Sequence, residues 1–77
     1  MKLGNRLREL RMLKGVTQVE LSEITGMSKG LISLMEGNDR NVTPFSAILL
    51  SCALDVPVIS LYETIYKDYP LLNNIKL

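Results

Sequence analysis

Residues 17–38 read TQVELSEITGMSKGLISLMEGN, and the reading of this stretch decides the fold. Thr17 followed three residues later by Glu20 fits a capping box. The Thr hydroxyl takes the amide of the third helical residue, and the Glu carboxylate reaches back to the Thr17 amide. That predicts a helix from Gln18 to about Thr25. Gly26 stops it in a left-handed conformation that other residues adopt only at a cost. Ser28 is the next N-cap. A second helix then runs to about Glu36, with Ile32 and Met35 spaced to face inward, and Gly37-Asn38-Asp39 breaks it. A turn of this kind sets two helices at a steep angle, so that the second protrudes. A protruding helix fits the major groove of B-DNA. Spacing alone leaves a second possibility open, the helical corner of a protein-interaction module.

Outward from this core the pattern stays helical. Leu3, Leu7, Leu10 and Leu13 recur among Arg and Glu residues, which predicts an amphipathic helix over about 4–14, ended by Gly15. Thr43-Pro44 pairs an N-cap with Pro at the first helical position, where its missing amide costs nothing. That predicts a helix to about Leu54, closed by the turn Asp55-Val56-Pro57. A fifth helix is expected from Val58 to Lys67, ended by Tyr69-Pro70. No segment shows strand alternation, an internal repeat or low complexity. The fold expected is all-α: a compact five-helix domain over residues 1–68, with residues 69–77 a frayed tail or a packed arm.

Composition narrows the function. Seventy-seven residues allow one domain, with no room for a separate sensory or catalytic one and no evident small-molecule effector site. A core of this size supplies only a few kcal/mol, and small domains often add a disulfide, a metal or a partner subunit. The chain has one cysteine, Cys52, and no histidine, so an internal disulfide and a Cys/His zinc site are excluded. Self-association is what remains. The lone cysteine also fits a reducing, cytoplasmic setting. No apolar run approaches the roughly 20 residues of a membrane span, and no signal-peptide pattern is visible. For the same reason the sequon Asn41-Val42-Thr43 carries no weight. No paired acids or activated nucleophile suggest an enzyme, and no cofactor is expected. The net charge of +1 is uneven. Residues 1–41 carry Lys2, Arg6, Arg8, Arg11, Lys14, Lys29 and Arg40 against Glu9, Glu20, Glu23, Glu36 and Asp39, a balance of +2. Residues 42–77 carry Lys67 and Lys76 against Asp55, Glu63 and Asp68, a balance of −1. A nucleic-acid face would lie in the first half.

A set of matches then accumulates in order along the chain. They are Arg6-Leu7-Arg8-Glu9-Leu10-Arg11, Lys14-Gly15-Val16-Thr17-Gln18, Glu20-Leu21-Ser22, Gly26-Met27-Ser28, Ile32-Ser33, Glu36-Gly37, Arg40-Asn41 and Ala53-Leu54-Asp55-Val56. With them the chain from Leu3 to Tyr62 resembles the Cro and phage-repressor, or XRE, family of helix-turn-helix regulators. The tract Arg40-Asn41-Val42-Thr43 is also similar to the controller proteins of restriction–modification systems.

The resemblance implies a lambda-repressor-like fold and a set of roles. Gln18 would fix a DNA phosphate and brace the reading helix. Lys29, Gly30, Ser33 and Leu34, with Ser28 at the head of the same helix, would face the bases. Asn38, Arg40 and Asn41 would meet the backbone. Arg11 and Glu36 would form an ion pair tying the first helix to the third. If that pair is buried, loss of either partner alone costs on the order of 3–5 kcal/mol. Leu21, Met27, Ile32 and Met35 read as core. Arg6, Arg8 and Lys14 read as solvated helix charges rather than phosphate ligands. Direct readout is sparse: Lys29 to guanine, Ser33 to a base or phosphate, Leu34 to a thymine methyl. DNA shape and half-site spacing would supply the rest.

The resemblance also places Ala47, Leu50, Ser51 and Leu54 inward on the fourth helix. Phe45, Leu49 and Cys52 are then left as an outer apolar stripe, which Ile59, Tyr62 and Tyr66 extend. Such a stripe needs cover. A symmetric homodimer would provide it and would set two reading helices about one DNA turn apart, matching a pseudo-palindromic operator on double-stranded DNA. The tail folded back is the alternative cover. Two functions follow: a small dimeric repressor or autoregulator, or an interaction module such as an antitoxin or anti-repressor, for which the sparse reading helix and the apolar fourth helix speak.

Overall fold

A computed structural model describes residues 3–62 of the chain. They form four α-helices: α1 Gly4–Leu13, α2 Gln18–Thr25, α3 Lys29–Glu36 and α4 Pro44–Ala53. A 3-10 helix follows over Val58–Tyr62. Among the described residues there is no strand. The fifth element differs from the expected α-helix over 58–67. Pro57 offers its carbonyl to the Ser60 amide at 2.9 Å, a tight i→i+3 turn. The β-branched Val58 and Ile59 that follow are poor helix formers. Residues 63–67, Tyr66 and the tail 69–77 lie outside the described residues.

Three helices start at the caps the sequence marks. Thr17, Ser28 and Thr43 accept from the amides of Glu20, Leu31 and Ser46. Glu20 returns the bond to Thr17, completing the box. Gly26 closes α2 with φ 76° and donates its amide to the Ser22 carbonyl.

The buried core gathers Leu7, Leu10, Leu21, Ile32, Met35, Ala47, Leu50, Leu54 and Leu61 from every element. Met27, Leu31 and Tyr62 pack at its edge. Leu13 is not part of it and is 72% exposed. At 3.6 residues per turn it falls about 80° round the helix from Leu3, off the buried stripe. Helix α3 packs against α1 and α2, while α4 packs against α2 and the 3-10 helix. The buried face of α3 is thus Ile32, Met35 and Glu36, and Lys29, Gly30, Ser33 and Leu34 are turned outward.

Candidate nucleic-acid interface

One buried carboxylate organises the outward face. Glu36, at the end of α3, is 5% exposed. Its Oε2 accepts from Arg11 Nε at 2.7 Å and its Oε1 from Arg11 Nη2 at 3.0 Å, a two-point pair between α3 and α1. Arg11 Nη1 donates to the Val16 carbonyl at 2.9 Å, so the same side chain holds the connection leading into α2. Glu36 Oε1 also accepts from Gln18 Nε2 at 3.2 Å. The hydrogen bond from Arg11 to Glu36 raises the arginine pKa; burial opposes this and the attraction of the two charges adds to it. A folded-state pKa raised above the unfolded one contributes stability that is lost only as pH rises through it. The arginine therefore stays charged in any physiological medium. Both side chains of this pair are largely buried, so loss of either would strand the other's charge in the interior.

Gln18 thereby sits, half-buried and braced, at the N-terminus of α2 between two hollows. One, of about 400 Å3, is lined by Thr17, Gln18, Val19 and Lys29 together with Arg11, Met12, Gly15 and Val16. The other, of about 270 Å3, is lined by Gln18, Ser33, Gly37, Arg8, Arg11 and Glu36. Lys29, Ser33 and Gly37 are one helical stripe, four residues apart. The amide of Gln18 is thus set beside the exposed flank of α3. Amides at a helix start and a side-chain carboxamide suit a phosphate oxygen, and a flanking helix of exposed small and basic residues suits a groove.

Of the other residues expected at the site, Ser28 is exposed and spends its Oγ capping α3, while Gly30 and Leu34 form the neighbouring outward stripe. Arg40 and Asn41 are exposed and line neither hollow. Asn38 has an internal occupation. Its Oδ1 accepts from the Gly4 amide at 3.0 Å and its Nδ2 donates to Asn5 Oδ1 at 3.2 Å. A Cβ on Gly4 would collide with the Met35 carbonyl, so the start of α1 is in tight contact with the end of α3. Sequence reasoning missed this clasp, since its partners are 34 residues apart. It also missed that Arg8 shares a cleft with Gln18 and Ser33. Among the described residues no cluster of His, Cys, Asp or Glu could hold a metal ion, and no helix is long and apolar enough to cross a membrane.

On α4 and the 3-10 helix, Phe45 is 71% and Ile48 53% exposed, and Cys52 and Ile59 are also exposed. Leu49 and Tyr62 are half-buried.

Comparisons with known proteins bear on this geometry. A family model described as helix-turn-helix matches residues 7–61. The control protein C.SmaI of Serratia marcescens is 34% identical over 56 residues, covering 73% of this chain and 67% of that protein. The crystal structure of the restriction-modification controller protein C.AhdI from Aeromonas hydrophila matches with a TM-score of 0.74. It is 37% identical, and the match covers 78% of this chain and 91% of that one.

Proposed function

Since the chain belongs to the helix-turn-helix family of XRE-type DNA-binding transcriptional regulators, we propose that it is a sequence-specific regulator that places α3 in the major groove of a pseudo-palindromic operator as a symmetric homodimer. It acts as a small repressor or autoregulator. Its likeness to two control proteins supports a role in governing a restriction–modification system. The observation that carries the groove reading is Gln18, fixed by Glu36 at the start of α2 and flanked on α3 by exposed Lys29 and Ser33. Gln18 and the α2 amides take a phosphate, and Lys29, Ser33 and Leu34 meet base edges. Arg40 and Asn41 contact the backbone beyond. Occupancy follows protein concentration through coupled dimerisation and DNA binding.

The test is selection of bound sites from a random duplex library, followed by a salt titration on the selected site. The expected result is a symmetric site whose affinity falls steeply with salt as counterions are released. The variant carrying Gln18→Ala and Lys29→Ala is expected to lose at least tenfold in affinity, with its helical circular dichroism unchanged and its melting temperature lowered by several degrees through loss of the Gln18–Glu36 bond. Wild-type affinity in that variant would remove both residues from the interface. Failure to enrich any duplex would favour the interaction-module reading.

A further inference from the structure

We propose that Arg8 holds a DNA backbone phosphate at the C-terminal half of α3, from the polar cleft it shares with Ser33, Gly37 and Gln18. The proposal rests on α3 being the groove helix, and it adds a residue of α1 to that interface.

Three observations carry it. The first is charge. The cleft of about 270 Å3 is lined by Arg8, Arg11, Gln18, Ser33, Glu36 and Gly37. Arg11 and Glu36 are spent on each other through two hydrogen bonds. That leaves the positive charge of Arg8 uncompensated among the ionised groups of the cleft, which favours an anion there.

The second is availability. Arg8 is exposed, and among the described residues it has neither an ion pair nor a hydrogen bond. Its other flank borders a shallow hollow with Asn5, Glu9 and Met12. The acid of that hollow, Glu9, is already held by Arg6 Nη1 at 2.6 Å, and Arg6 Nε donates to the Ser60 carbonyl. Arg8 is thus a planar, multi-donor cation that no internal partner requires, and phosphate is the ligand this geometry suits.

The third is position. Lys29 stands in the hollow at one end of the α3 stripe and Arg8 stands beside Gly37 at the other, with Gln18 between them. Residues 29 and 37 are about 12 Å apart along the helix axis at 1.5 Å per residue. The two cations therefore address separate points of the DNA backbone. The second half of α3 carries no cation of its own, and α1 supplies it.

Phosphate-ethylation interference on the selected duplex, read alongside the salt slope, tests this with the full chain. Wild type is compared with Arg8→Ala, Arg8→Lys and Lys14→Ala, the last removing an exposed charge that lines none of these hollows. Arg8→Ala is expected to lose one interfering phosphate per half-site and to flatten the salt slope by about 0.9 per subunit. Arg8→Lys is expected to restore the slope and part of the interference, and Lys14→Ala to keep the wild-type interference pattern. An unchanged pattern in Arg8→Ala, or the same loss in Lys14→Ala, overturns the proposal and leaves the groove reading standing. Wild-type protein that shows no salt-dependent duplex binding overturns both.

Discussion

At Gly30 the free protein has room that the bound one would use. A Cβ there would meet no heavy atom within 4 Å, and the position is helical and exposed. Glycine inside a helix is destabilising by roughly 0.5–1 kcal/mol relative to alanine. Gly30→Ala is therefore expected to stabilise the protein by about that amount in chemical denaturation. Its flank on α3 is the one proposed to enter the groove, so the same methyl is expected to weaken binding to the selected operator. A variant both more stable and equally tight would show that DNA does not come close at residue 30. Leu34, one turn on and 46% exposed, belongs to the same open stripe. An exposed leucine there adds nothing to the core, whereas a thymine methyl would give it a partner.

The ends of the helices show what was legible in the sequence. Thr17, Ser28 and Thr43 could be read as caps because each bonds an amide three residues away, a distance that sequence displays. Gly15 and Gly26 were legible as stops because glycine advertises positive φ. At the end of α3 the same logic misplaces the bend. Gly37 has φ −83°, and Asn38 is the left-handed residue, with φ 62°. The amides of Asn38 and Asp39 bond back to the carbonyls of Met35 and Leu34, the double closure of a Schellman motif. Asp55 closes α4 in the same way with φ 55°. The clasp of Asn38 on Gly4 was not legible, because its partner is set by tertiary packing. The 3-10 form of Val58–Tyr62 was equally hidden, since an i→i+3 bond and an i→i+4 bond suit nearly the same sequence. The ion-pair residues and Gln18 were visible only through resemblance, as no local rule joins positions 11, 18 and 36. Asn38 thus serves two elements, ending α3 and capping α1. Asn38→Gly keeps the backbone conformation and loses only the clasp, at about 1 kcal/mol. Asn38→Ala loses the clasp too, and it keeps a Cβ in the left-handed region without the polar side chain that lets asparagine adopt it, so it is expected to cost about 1–2 kcal/mol more than Asn38→Gly. Equal losses for the two variants in urea melts would remove the backbone part of this account.

At the scale of the whole molecule, the two faces divide the work. The face built on Gln18 and α3 carries Arg8 and Lys29, whereas α4 carries exposed Phe45, Ile48 and Cys52 at spacings of three and four. That spacing makes one stripe along the helix, and exposed Val58 and Ile59 follow on the 3-10 helix packed against α4. The stripe turns on Ile48 rather than on half-buried Leu49, a distinction invisible in a helix as apolar as PFSAILLSCAL. None of Phe45, Ile48 and Cys52 belongs to the buried core, so packing among the described residues does not account for them. The proposed two-fold interface would, because it would cover the stripe with its own copy and fix the separation of two α3 helices. The full chain is expected to sediment as a dimer at micromolar concentration. Phe45→Glu combined with Ile48→Glu places like charges across that interface and is expected to give a monomer with unchanged helical circular dichroism. The same variant is expected to bind a half-site as wild type does while losing the tight binding to the full palindrome. A wild-type monomer at that concentration, or a double variant that still dimerises, would move the interface off α4.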